Sequence, residues 1–175
     1  MKTLEKILNY FTTRQAELGL TDYALARKAG ISPQAISGYK SGKYGMRLDT
    51  LLALAGALRL NFFLVPRGDE LRLPEGTGDA GQAPEPEGNY IAAARMALPV
   101  IRQFIREELN ARGWSLYRLA KNAGLNRTDV KNFLDGGNIS VRNFMRILAA
   151  MDMGLALIPK ESAGLPPGAS RIFFN

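Results

Sequence analysis

Two short stretches, residues 29–42 (AGISPQAISGYKSG) and 123–136 (AGLNRTDVKNFLDG), hold the side chains best placed by type and spacing to do chemistry. That chemistry is hydrogen bonding and charge pairing, not bond making. The carboxamides of Gln34 and Asn132 can pair bidentately with adenine, and the guanidinium of Arg127 with guanine. Ser37 and Thr128 can bond several partners, and Lys131 adds an ammonium on the same helical face as Asn132. Lys40, Lys43 and Arg47 cluster at and after the end of the first stretch. They suit phosphates, which set register and affinity but carry no sequence information.

The chain of 175 residues has no cysteine and no histidine. There is therefore no disulfide framework and no thiolate, and the commonest general base and metal ligand are missing. No carboxylate pair, phosphate loop or nucleophile motif stands out, so no catalytic residue, metal ligand or cofactor is expected and the protein is not read as an enzyme. No apolar run is long enough to span a membrane. The N-terminal stretch is interrupted by Glu5, Lys6 and Asn9 and lacks a secretory core. A cytoplasmic protein that does not engage membranes is expected.

The net charge of +7 is unevenly spread. Residues 1–66 carry nine Lys/Arg against four Asp/Glu, and residues 91–160 carry eleven against five. Residues 67–90 between them carry two against six. Two basic blocks flank an acidic connector, a pattern that points toward nucleic acid.

The elements that must position these side chains repeat. The segment from Gly19 (GLTDYALARKAGISPQAISGYKSGK) matches that from Gly113 (GWSLYRLAKNAGLNRTDVKNFLDGG). Tyr23 corresponds to Tyr117, Leu25 to Leu119, Ala26 to Ala120, Gly30 to Gly124, Ile36 to Val130 and Gly42 to Gly136. The offset is 94 residues to that point and 93 after one deletion. Leu48, Leu51, Leu54 and Leu58 then correspond to Val141, Phe144, Ile147 and Met151, and both copies end in proline, at Pro66 and Pro159. Each copy reads as four helices. The first spans 3–18 or 99–112, with Pro99 in a first turn and a separate helix over 91–97. Thr21 and Ser115 cap the second helix. Ser32 and Asn126 open the third, over 32–41 and 126–135. The fourth covers 48–59 and 141–152.

Ala26 lets the second helix cross the third closely, and Gly30 turns the chain with positive φ at no Cβ penalty. Ile31 and Ile36 pin the third helix, leaving its polar face outward. This arrangement resembles the helix-turn-helix of the phage-repressor and Cro-like, or xenobiotic-response-element (XRE), family, over about 19–66 and 113–159. The resemblance implies that the third helix enters the DNA major groove while the second crosses the backbone. It implies that the first two residues of the third helix and one a turn later read bases: Pro33, Gln34 and Gly38 in one copy, Arg127, Thr128 and Asn132 in the other. The full set of expected base contacts is Gln34, Ser37, Arg127, Thr128, Lys131 and Asn132. Expected phosphate contacts are Thr21, Ser32, Lys40, Lys43, Arg47, Ser115 and Arg142. Gly38 is read as permitting close approach to DNA or as marking a weaker reader.

Residues 60–66 and 154–159 read as strands, as do 70–73 and 170–174, giving one hairpin per copy; joined, the hairpins form one four-stranded sheet. The expected fold is mainly α, with two tandem four-helix, lambda-repressor-like helix-turn-helix domains at 1–73 and 91–175. An acidic Pro/Gly linker at 74–90 joins them. The resemblance implies a sequence-specific regulator of transcription that binds double-stranded DNA, a repressor of a phage, plasmid or other mobile element. One chain is expected to act as a pseudo-dimer, with a homodimer through strands 62–65 and 155–158 as the alternative assembly. The alternative function is an antitoxin-type protein that binds a protein partner and regulates its own synthesis through DNA.

Overall fold

The order of four helices and a strand occurs twice. A computed structural model describes residues 2–67, 89–162 and 170–172. The first series is α1 (Lys2–Glu17), α2 (Asp22–Ala29), α3 (Pro33–Lys40), α4 (Leu48–Ala57) and β1 (Leu60–Pro66). The second is α5 (Tyr90–Ala111), α6 (Leu116–Ala123), α7 (Arg127–Leu134), α8 (Val141–Ala150) and β2 (Met153–Pro159), followed by β3 (Ser170–Ile172). The described residues are mainly helical.

The local signals act as their chemistry demands. The hydroxyls of Thr21 and Ser115 accept from the amides of Ala24 and Arg118, each satisfying an otherwise unpaired donor of a first turn. Ser32 does the same for Ala35, whereas Asn126 caps α7 by position without a side-chain hydrogen bond. Gly30 and Gly124 end α2 and α6 in the left-handed region, at φ 77° and 62°.

One apolar core spans both series, from Ile7 and Phe11 through α4 and the sheet to Phe133, Phe144 and Ile147. Every residue of α4 is buried, Asp49 and Thr50 included. An all-round apolar helix such as LDTLLALAGA needs cover on every side. Here α5 lies across the face that the sheet and α2 leave open. Its counterpart α8 is amphipathic, with Val141, Phe144, Ile147 and Leu148 inside and Arg142, Arg146 and Ala149 exposed.

Two sequence expectations are corrected here. Residues 91–97 and 99–112 are not separate helices: α5 runs from Tyr90 to Ala111 with Pro99 inside. An interior proline costs about 3 kcal/mol in a free helix. Ala94, Ala97, Leu98 and Ile101 are buried on both sides of it, and packing holds the two parts in one helix. Nor do residues 154–159 and 170–174 form a hairpin. The sheet has the order β2-β1-β3, and the two outer strands both pair antiparallel with β1. LNFFLVP is the more bulky apolar run, and a central place buries it on both faces. The sheet is three-stranded among the described residues; the strand expected at 70–73 and residues 173–174 lie outside them, as does most of the acidic connector.

The β1–β2 ladder is complete, from Leu60 opposite Pro159 to Pro66 opposite Met153. Strand periodicity sends Leu60, Phe62, Leu64, Met153, Leu155 and Leu157 to the main core, and Phe63, Val65 and Ala156 to the other face. Segments 62–65 and 155–158 are thus paired with each other inside one chain. A second pairing lies at the helix starts. Arg47 and Ser140 form an antiparallel bridge, with Leu48 N donating to Ile139 O and Val141 N to Met46 O, both at 2.8 Å.

The start of α5 treats the two turns differently. A Cβ on Gly30 would lie 2.2 Å from Asn89 Oδ1 and 2.8 Å from Ile91 Cγ2, whereas one on Gly124 meets nothing within 4 Å. Gly124→Ala should therefore lose only the left-handed penalty, about 1–2 kcal/mol. Gly30→Ala should lose about 1–3 kcal/mol more from overpacking. Urea denaturation of the two variants checks this, and equal losses would mean that the start of α5 is not seated on the α2–α3 turn.

Candidate nucleic-acid interface

The outer faces of α3 and α7 are built by what anchors their inner faces. Ile36 is buried on α3, and Val130, Phe133 and Leu134 on α7. Phe133 meets Phe144 edge-on, with ring centroids 6.1 Å apart, and the guanidinium of Arg102 lies over its ring. With those faces fixed, Gln34 and Ser37 on α3 are exposed, as are Arg127, Thr128, Lys131 and Asn132 on α7. The structure thus places each group of expected base contacts on one exposed helix face.

The expected phosphate contacts are less alike. Thr21, Ser32 and Ser115 are exposed but already accept a cap hydrogen bond, which leaves each hydroxyl proton to donate. Lys43 is exposed over the Tyr44 ring at 5.4 Å. Arg47 and Arg142 come from different series yet sit at one seam: the Arg47 backbone pairs with Ser140, two residues before Arg142. Lys40 is committed elsewhere. Its Nζ lies 2.6 Å from Asp22 Oδ1 and 3.1 Å from Gln15 Oε1, and Gln15 also donates to Asp22 at 2.7 Å. This triad ties the end of α3 to α1 and the start of α2. Gln15 and Lys40, first, hold the Asp22 carboxyl below the ordinary aspartate range.

On α7, Lys131 pairs with Asp135 one turn later, and Asp135 also faces Arg106 at 3.2 Å. Lys131 and then Arg106 keep the Asp135 carboxyl below its ordinary range. The pair is exposed and screened by solvent, so Lys131 exchanges this partner for another anion at little cost.

Several residues that hold these faces were not singled out in the sequence. Arg106 donates to Leu134 O at 3.0 Å, and Arg102 to the carbonyls of Gly136 and Gly137 at 2.8 and 2.5 Å. The C-terminal end of α7 and the loop after it are thus fastened to α5 through carbonyls that a helix leaves unpaired. The available signal is a pair of arginines spaced four apart on an amphipathic helix. Gly38 proves buried: a Cβ there would come within 2.0 Å of the Tyr44 ring. The glycine makes room for a tyrosine of the chain itself, so it does not offer the open approach to DNA that the sequence suggested. A mid-helix glycine followed six residues later by an aromatic is the signal for that contact.

The depressed Asp22 carboxyl has a testable consequence. A folded-state value below the unfolded one, which is about 3.9, means stabilisation present above that value and lost as the pH falls through the lower folded value. A carbon-detected NMR titration should show Asp22 ionising below ordinary aspartates. Lys40→Ala should raise that midpoint only in part, because Gln15 still donates. An unchanged midpoint in Lys40→Ala would show that the lysine does not rest on Asp22.

A helix-turn-helix family model matches residues 12–64, which run from within α1 to within β1. Comparison with curated proteins and with solved structures gives no match. The matched segment carries α2, the Gly30 turn and the exposed face of α3, and it supports a DNA-binding regulator of transcription of the XRE type.

Proposed function

We propose that the protein is a cytoplasmic, sequence-specific repressor that binds double-stranded DNA with both α3 and α7 in the major groove. The observation that carries this reading is the exposed polar face of α3, presented by a capped helix pair with a left-handed glycine turn inside the matched segment. Support for α7 as a second reader comes from its geometry. α6 and α7 equal α2 and α3 in length, Ser115 caps α6 through its hydroxyl as Thr21 caps α2, and Gly124 makes the same left-handed turn as Gly30. Arg127, Thr128 and Asn132 on its outer face carry the stronger base-pairing chemistry. The β1–β2 ladder and the Arg47–Ser140 bridge support one chain acting as its own dimer.

A second reading, a partner-binding protein of the antitoxin type, draws on Met96 and Val100, which stand 78% and 56% exposed one turn apart on α5. Replacing both by serine should abolish co-purification of a protein partner under this second reading, and change nothing if DNA binding is the main function.

Neutralising about six to ten phosphates makes duplex affinity fall roughly 10³–10⁵-fold between about 50 and 200 mM salt. Lys43→Ala should weaken all sequences alike, because its partner is a phosphate. Arg127→Ala and Asn132→Ala should each relax preference at one base pair by about 1–3 kcal/mol. Fluorescence anisotropy with cognate and scrambled duplexes measures all three. A flat salt response, or no duplex binding at low salt, sinks the proposal.

A further inference from the structure

Resting on the reading of α3 and α7 as DNA readers, we propose that the target is a non-palindromic duplex site. It has two unlike half-sites at one fixed separation, and one chain occupies it in one orientation.

The fixed separation follows from how each reader meets the seam. Lys40 ends α3 seven residues before Arg47, and Leu134 ends α7 six residues before Ser140. Both connecting segments are tied down. Lys43 N and Tyr44 N donate back to Gly38 O at 2.9 and 3.2 Å, and Gly137 N donates to Asn132 O at 2.8 Å. Arg102 fastens Gly136 and Gly137 to α5, and the Tyr44 ring lies on Gly38. Beyond the segments, Leu48 and Val141 donate across the bridge, and β1 and β2 pair over their whole length. Antiparallel pairing of corresponding residues gives the seam a local two-fold axis, at Arg47–Ser140 and again at Phe63–Ala156. Short hydrogen-bonded segments carry that axis to both readers.

The unlike half-sites follow from the side chains placed on this frame. A two-fold dimer of identical readers demands a palindrome, because operator symmetry mirrors protein symmetry. Here the corresponding pairs are Pro33 and Arg127, Gln34 and Thr128, Ala35 and Asp129, Ser37 and Lys131, Gly38 and Asn132. No pair presents the same hydrogen-bonding pattern to a base edge. An amide and a hydroxyl face one half-site; a guanidinium, a hydroxyl, an ammonium and an amide face the other. The single orientation follows because turning the chain end for end would exchange the readers.

The test is selection of the intact chain on a random duplex library, with sequencing of what it retains and native mass spectrometry of the complex. Two unlike half-sites at constant separation, with one chain per duplex, are expected. Inserting about five base pairs, half a turn, between the half-sites should lower affinity at least about tenfold. Gln34→Ala should alter preference in one half-site only, and Arg127→Ala in the other only. A palindromic consensus holding two chains overturns the proposal, as does a single half-site indifferent to the insertion. Both leave the regulator reading standing. If no duplex of any sequence is retained at low salt, that reading fails and the proposal fails with it.

Discussion

The amides of Leu48 and Val141 donate into opposite halves of the chain, to Ile139 and Met46, at the very start of α4 and α8. Those amides belong to first turns, where no partner exists within the helix. Here each helix start is completed by the other half of the chain. The same reciprocity recurs at the far ends of both helices. Arg59 and Asp152 adopt positive φ, 57° and 56°, without being glycine. Their carbonyls accept from Lys160 N and Arg67 N, the residues just past the partner strand, at 2.8 and 3.0 Å. A left-handed residue costs about 1–2 kcal/mol, and each of these two closes one end of the ladder. Neither half has a complete set of backbone partners without the other, so the seam dictates where everything built upon it stands.

Much of this was legible in the sequence because it is local. Caps at Thr21, Ser32 and Ser115 and the turns at Gly30 and Gly124 depend on a few adjacent residues, and they stand where residue type placed them. What escaped is what depends on distant neighbours. Pro99 signals a helix start only if nothing holds a longer helix together. The cover that α4 requires does so, and no residue near Pro99 announces it. The strand order escaped for a similar reason. Sequence proximity favours β2 with β3, whereas the apolar content of β1 decides which strand is central. At the candidate interface, residue type correctly marked exposed faces on α3 and α7. It could not reveal that Lys40 is engaged by Asp22 and Gln15, because Gln15 lies on a different helix.

Repetition in the sequence also conceals a division of labour. Gly56 leaves room for the Tyr90 ring, which lies within 2.5 Å of where its Cβ would stand, while Ala149 at the corresponding position is exposed. Asn89 and Ile91 close over Gly30, and Arg95 faces the buried Asp49 at 3.8 Å. The nine residues of α5 before Pro99 therefore serve the first half, and those after it serve the second through Arg102 and Arg106. One helix thus braces both halves.

The bracing differs in kind at α3 and α7, and the difference bears on which side chains each leaves unengaged. On α3 the means of support is drawn from the helix itself. Beyond the buried Ile36, Gly38 gives up a side chain to seat Tyr44, and Lys40 commits its charge to Asp22, so both of these positions serve the scaffold. On α7 the support comes mainly from outside, from guanidinium groups of α5 that bond main-chain carbonyls, with Asp135 and Lys131 the side chains drawn in at its end. Arg127, Thr128 and Asn132 make no side-chain hydrogen bond or ion pair among the described residues. A helix held by its backbone keeps its surface for recognition, whereas a helix held by its own side chains has fewer left to offer. That backbone support depends on α5 crossing Pro99 unbroken, which carries Arg102 and Arg106 to the end of α7 while the same helix covers α4.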